Sequence, residues 1–132
     1  AWFYISFNRI GGLMATLLTV KASDTRDWSI TLSDADSAAL NLTGARVKFR
    51  MRRSEQSTTN YFVRDTEGTG SDFITINATP TTGIIAITPT LSDYSEMSDM
   101  YGIFVAEFLV IDSNEDTMIL NDVEINIQEP LF

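Results

Sequence analysis

The sequence predicts an all-β protein, a sandwich preceded by an N-terminal arm. Three observations predict it. Short runs of alternating apolar and polar residues recur along the chain, the period-2 signature of half-buried strands. Clusters of Gly, Pro, Asp, Asn and Ser separate those runs at regular intervals. No segment carries a long helical pattern. At 132 residues the chain fits one domain, and a domain of that size buries roughly two-thirds of its unfolded surface.

The arm spans residues 1–13 and the sandwich residues 14–132. Residues 1–10 are apolar and aromatic, and Gly11-Gly12 is a flexible break before Met14. Trp2, Phe3, Tyr4 and Phe7 would dock the arm on a neighbouring subunit, because exposed aromatics need a cover. The alternative is a first strand of the same sheet.

From Leu17 the pattern turns to β. Trp28, Ile30 and Leu32 alternate with Asp27, Ser29 and Thr31. Residues 33–37 form a turn, since Asp and Ser bond their own backbone there. Gly44 marks a corner. Ala45, Val47, Phe49 and Met51 then alternate with Arg46, Lys48, Arg50 and Arg52. A slip of one residue would bury four cations, so this register is strongly set.

Residues 60–65 and 72–78 read as further strands. Residues 79–83 form a turn, and residues 84–88 the next strand. Residues 91–99 permit one helical turn, with Ser92 as its cap. Residues 101–111 form a long apolar run, read as a central strand buried on both faces. Residues 112–116 make a hairpin loop, and residues 118–128 close the domain with Val123, Ile125 and Ile127 inward.

Composition narrows function. The chain has no cysteine, which excludes disulfides, thiolate metal sites and cysteine nucleophiles. It has no histidine either, so the commonest general base near neutral pH and the commonest transition-metal ligand are missing. The expectation is a non-enzymatic protein without a cofactor. The net charge of −9 opposes a nucleic-acid partner, since a polyanion needs basic neutralisation. No run reaches the roughly 18 apolar residues of a membrane span, and the first residues make a poor signal peptide.

The charge is split along the chain. Residues 1–64 carry nine bases and five acids, net +4, whereas residues 65–132 carry thirteen acids and no base, net −13. Opposite halves could attract copies head to tail. The simpler reading is that strands from the two halves pair within one sandwich and neutralise each other.

A series of short motifs adds a resemblance. In order they are Asp24-Thr25-Arg26, Asp34-Ala35-Asp36, Leu42-Thr43-Gly44, Phe49-Arg50-Met51-Arg52, Gly83-Ile84, Tyr101, Ala106-Glu107-Phe108 and Asn121-Asp122. Their order and spacing over residues 15–128 resemble the N-terminal module of phage baseplate upper proteins and related small tailed-phage structural proteins. The resemblance implies an immunoglobulin-like antiparallel β-sandwich acting as a docking module in a virion. Its partners would be other virion structural proteins and copies of itself, with no nucleic acid and no membrane. Members of that family are usually longer, with a helical stalk after the module. A module without the stalk could sit in the baseplate, tail or neck, or decorate the capsid exterior. A carbohydrate- or surface-binding module is the alternative of a different class, with Trp28 or Tyr61 as the stacking residue.

The remaining constellations are weaker. Arg46, Lys48, Arg50 and Arg52 share one strand face at intervals of about 6.6 Å, joined by Arg53. The row either grips an acidic patch on a neighbour or is a solvated face paired with Glu107 or Glu124. Asp112, Asn114 and Asp116 have the opening spacing of an EF-hand, but Thr117 stands where the loop needs Gly and Val123 where it needs Glu. Asp34 and Asp36 are explained by turn chemistry. Asn41-Leu-Thr43 and Asn77-Ala-Thr79 match glycosylation sequons, which matter only in a eukaryotic secreted protein. Trp28 and Tyr101 are expected in the core.

Overall fold

A computed structural model describes residues 3–7, 16–33, 38–54, 56–70, 72–96 and 101–130; for residues 3–7, 16–17 and 120–122 it describes the backbone alone. The strands among them are β1 (Phe3–Phe7), β2 (Thr16–Lys21), β3 (Trp28–Leu32), β4 (Arg46–Arg52), β5 (Tyr61–Asp65), β6 (Ile74–Ile76), β7 (Ile84–Ile87), β8 (Gly102–Ile111) and β9 (Thr117–Gln128). One short helix, α1 (Leu91–Glu96), lies between β7 and β8. The strands form two sheets, ordered β1-β3-β7-β6 and β2-β9-β8-β4-β5. The fold is therefore all-β and sandwich-like, with residues of both sheets in one core.

Alternation builds that core. On β4, Val47, Phe49 and Met51 are buried while Arg46, Lys48, Arg50 and Arg52 are not. On β3, Trp28, Ile30 and Leu32 are buried. Trp28 crosses the gap between the sheets, stacking on Phe62 with ring centres 4.9 Å apart and meeting Phe49 edge-on at 6.5 Å. Phe49 in turn packs on Phe108 at 4.8 Å. Such aromatic contacts contribute about 0.5–1.5 kcal/mol each beyond the area they bury.

Three expectations need correction. First, the sheets are not purely antiparallel: β1 runs parallel to β3, and β2 parallel to β9. Period-2 alternation fixes which face is buried, but it carries no information on the direction of the neighbouring strand. Second, β8 is central in its sheet but buried on one face only. Phe104, Ala106, Phe108 and Val110 are buried, whereas Ile103 on the other face is exposed and Val105, Glu107, Leu109 and Ile111 are half-buried. Third, the helix cap is Thr90, not Ser92. The Asp93 N–H donates to Thr90 Oγ1 at 3.2 Å, and the Thr90 N–H donates to Asp93 Oδ2 at 2.7 Å. This reciprocal pair is a capping box, with an acid three residues after the cap. Two strands also bulge. Between the pairs Phe49–Arg64 and Met51–Tyr61, β5 carries one residue more than β4. Phe62 takes a positive φ of 51° there, so the neighbours Tyr61 and Phe62 both turn toward the core, Tyr61 half-buried against Phe104. On β9 the extra residue lies between Leu120 and Val123, opposite Ala106–Phe108 of β8.

Of the arm, residues 3–7 pair with β3 from Phe3–Trp28 to Phe7–Leu32. The backbone thus places this segment as a strand of the four-stranded sheet. Trp2 lies outside the described residues, and so does the turn containing Asp34 and Asp36.

Candidate docking surface

The basic row stands on the outer face of the five-stranded sheet, and the structure gives most of it partners. Arg46 donates to both carboxylate oxygens of Asp65, at 3.1 and 2.8 Å, and reaches Glu67 at 3.2 Å. Arg50 meets Glu107 at 3.3 Å. Arg52 donates to Asn60 Oδ1 at 2.7 Å and to the Ser57 carbonyl at 3.1 Å. Lys48 stands opposite Asp65 across the β4–β5 ladder. Glu107 is thus a partner of the row, while Glu124 faces Val105 on β8 instead.

The Arg46 hydrogen bond holds the Asp65 carboxyl below its ordinary value, against the opposing effect of burial. Asp65 in return raises Arg46. These pairs are partly exposed, and solvent screens such bridges so that they add little to stability. They fix the direction of the cations more than they stabilise the fold.

Arg53 turns away from the row. Its guanidinium donates to the Ile103 and Tyr101 carbonyls at 3.1 and 3.2 Å and lies 5.0 Å from the Phe104 ring centre. Gly102, with φ 122°, accommodates it: a Cβ there would sit 3.1 Å from that guanidinium.

Beside the basic row, the outer face exposes aliphatic side chains. Ile103 and Ile119 are nearly half exposed, and Val63 slightly more. Leu109 lies between Lys48 on β4 and Ile119 on β9. The β9 bulge sets that register, which the sequence pattern did not reveal. Lys48, Arg50, Val63, Glu107, Leu109 and Ile119 line a shallow groove of about 370 Å³. The surface therefore offers apolar contact framed by cations and the carboxylates that pair with them.

Arg64 is the residue sequence reasoning missed. Its side chain is 1% exposed and donates to Asp93 Oδ2 at 2.5 Å. It also reaches the Val63 and Thr88 carbonyls at 3.1 and 3.3 Å, and Asp72 at 3.6 Å. Asp93 lies 29 positions away, so no local spacing signalled the pair. Tyr94, beside it, donates its hydroxyl to the Asp24 carbonyl at 2.6 Å and ties α1 to the turn before β3. Burial raises the Tyr94 hydroxyl well above its ordinary value.

Of the described ion pairs, all but Arg26–Asp24 join a base from residues 1–64 to an acid from residues 65–132. The two charge halves meet within one molecule, as the simpler reading had it.

The other constellations resolve locally. Asp112 Oδ1 accepts from the Asn114 and Asp116 N–H groups, at 2.9 and 3.0 Å, so turn chemistry explains it. Asn41 Oδ1 accepts from the Thr43 N–H at 3.1 Å and Asn77 Oδ1 from the Thr79 N–H at 2.9 Å, both as Asx turns. Trp28 is fully buried and cannot stack a sugar. Tyr61 is half-buried and packs edge-on against Phe104 at 5.7 Å. No helix among the described residues is long and apolar enough to cross a membrane. Compared with known proteins, the chain matches no protein-family model and no curated protein.

Proposed function

We propose that this chain is an immunoglobulin-like sandwich serving as a non-enzymatic docking module of a tailed-phage virion, in the baseplate, tail or neck. Strand order supports the fold. In a variable-type immunoglobulin domain one sheet holds strands B, E and D, and the other holds G, F, C and C′. Here β3-β7-β6 and β9-β8-β4-β5 occupy those places in that sequence. One departure is that the buried Trp28 stands on β3, the place of strand B, where antibody domains carry their tryptophan on strand C.

The observation that carries the functional reading is where the resemblance motifs fall. Leu42 is buried at the corner that Gly44 turns with φ 69°. Gly83 turns the chain into β7 with φ 69°. Phe49 and Met51 lie in the core on β4, and Ala106 and Phe108 lie in it on β8. Asn121 and Asp122 lie in the β9 bulge. Asp24 binds Arg26 through its side chain and Tyr94 through its carbonyl. Among the described residues, the motifs thus mark fold-determining points rather than a catalytic cluster. That is what a shared scaffold for assembly would retain, with function carried by its faces.

Quantitative mass spectrometry of purified particles tests the reading, by copies of this chain per major capsid protein. A low count in multiples of a tail symmetry supports the baseplate, neck or tail. A count near that of the capsid protein moves it to the capsid exterior as a decoration. Absence from particles overturns the virion role.

A further inference from the structure

Phe62 holds a backbone conformation that a bulky side chain rarely adopts, with φ 51°. It does so in an edge strand, since β5 pairs with β4 alone. The bulge sets Phe49 opposite Arg64 and Met51 opposite Tyr61, so three steps on β5 answer two on β4. Aromatic contacts hold it there. Phe62 stacks on Trp28 with ring centres 4.9 Å apart, and Tyr61 meets Phe104 edge-on at 5.7 Å. Arg52 adds hydrogen bonds to the connecting segment, at Asn60 Oδ1 and the Ser57 carbonyl.

The residues of β5 also fit β4 without a bulge. In plain alternation from Phe49–Arg64, Arg50 pairs with Val63, Met51 with Phe62 and Arg52 with Tyr61. Phe62 then stays inward beside Met51 with an ordinary strand φ, and Val63 stays outward beside Arg50. Tyr61 alone changes face. The extra residue passes into the connection between β4 and β5, where added length costs little. The pairs Phe49–Arg64 and Lys48–Asp65 are untouched, so the Arg64–Asp93 and Arg46–Asp65 ties persist through the change.

We propose that the first half of β5 is a two-state register switch, in which relief of the Phe62 backbone opposes the burial of Tyr61. A slip of one residue swings the Tyr61 ring onto the outer face of the five-stranded sheet. There it stands beside Arg52, whose guanidinium leaves Asn60 and can lie on the ring. The outer face thus presents this aromatic side chain in one state and buries it in the other. A partner that takes up the ring draws the strand into the slipped register. The switch belongs to the fold and does not rest on the assembly reading.

Disulfide trapping reads the register, because the chain has no cysteine of its own. In Arg52→Cys/Tyr61→Cys the two side chains share a face only in the slipped register; in the bulged one they point apart and cannot be bridged. The purified variant should oxidise to the bridged form, as its mass will show. Adding Phe62→Ile, whose branched side chain resists positive φ, should speed bridging at least about tenfold over adding Phe62→Gly, which tolerates it. A folded variant that never bridges overturns the proposal, as do equal rates with Ile and Gly. Relaxation dispersion on the wild-type amides decides independently, should a variant fail to fold. Microsecond-to-millisecond exchange should occupy residues 57–63 and spare Arg64 and Asp65. Exchange absent from residues 57–63, or running on through Arg64 and Asp65, overturns the switch.

Discussion

At Gly83 the chain turns with φ 69°, and a Cβ there would lie 2.6 Å from the Leu32 carbonyl oxygen. A left-handed backbone alone costs a residue with a side chain about 1–2 kcal/mol, and the contact with fixed backbone adds to it. Gly83→Ala should therefore lower the melting temperature with an unchanged far-ultraviolet spectrum. Arg64 and Asp93 set a second test. Removing one partner of a buried ion pair costs about 3–5 kcal/mol, because the other charge stays buried. Asp93→Asn takes the nearest carboxylate from a guanidinium that is 1% exposed, leaving it Asp72 at 3.6 Å, and weakens the Thr90 cap. Arg64→Met leaves Asp93 still accepting from Thr90, so it should cost less. Urea titration of the two variants checks the order; equal losses would mean that the ion pair, not the cap, carries the energy.

Among the elements, β4 was the most legible in the sequence, because four cations alternating with apolar residues permit one register only. The Gly44 and Gly83 corners and the loop at residues 112–116 were legible too, since their turn chemistry is local. The bulges of β5 and β9 were not. Phe62 and Arg64 occupy alternate positions of a short run, and a buried arginine is expected only when its acid is visible nearby. Pairing of β1 with β3 and of β2 with β9 was equally hidden, since each joins segments through tertiary contact alone. The same limit applies to the docking surface. Its basic row could be read from β4, whereas its aliphatic half comes from β5, β8 and β9 together. If that face docks a partner, Arg50→Glu/Arg52→Glu should weaken incorporation into particles in a salt-sensitive way. Unchanged incorporation would make the row a solvated face, which its partners Glu107 and Asn60 already allow.

For the whole molecule, charge is arranged so that acid should loosen it. Arg26 holds Asp24, and Arg46 holds Asp65, below the ordinary carboxylate value. A carboxyl whose value is lower folded than unfolded contributes stability that is complete above the unfolded value. That contribution is lost as pH falls through the folded value. Stability should therefore be flat from about pH 5 through neutral pH and decline below about pH 4. Asp65→Asn should make the decline shallower in chemical denaturation at a series of pH values. An identical acid limb would show that the Arg46 bridge contributes nothing to folding.

The parallel pairing of β2 with β9 runs over six residue pairs, from Thr16–Val123 to Lys21–Gln128. A tension applied through the segment before β2 and the segment after β9 pulls these strands past each other along their length. Every hydrogen bond between them is then loaded at once, instead of opening one at a time as in a peeled hairpin. The domain should behave as a mechanical clamp, yielding at a high and narrowly distributed force when stretched from those two points. Stretched across β8 and β9, an antiparallel hairpin, it should unzip at a much lower force. Single-molecule pulling in the two geometries separates the cases. A component that must hold two neighbours together while a particle contracts or ejects its contents would gain from the first.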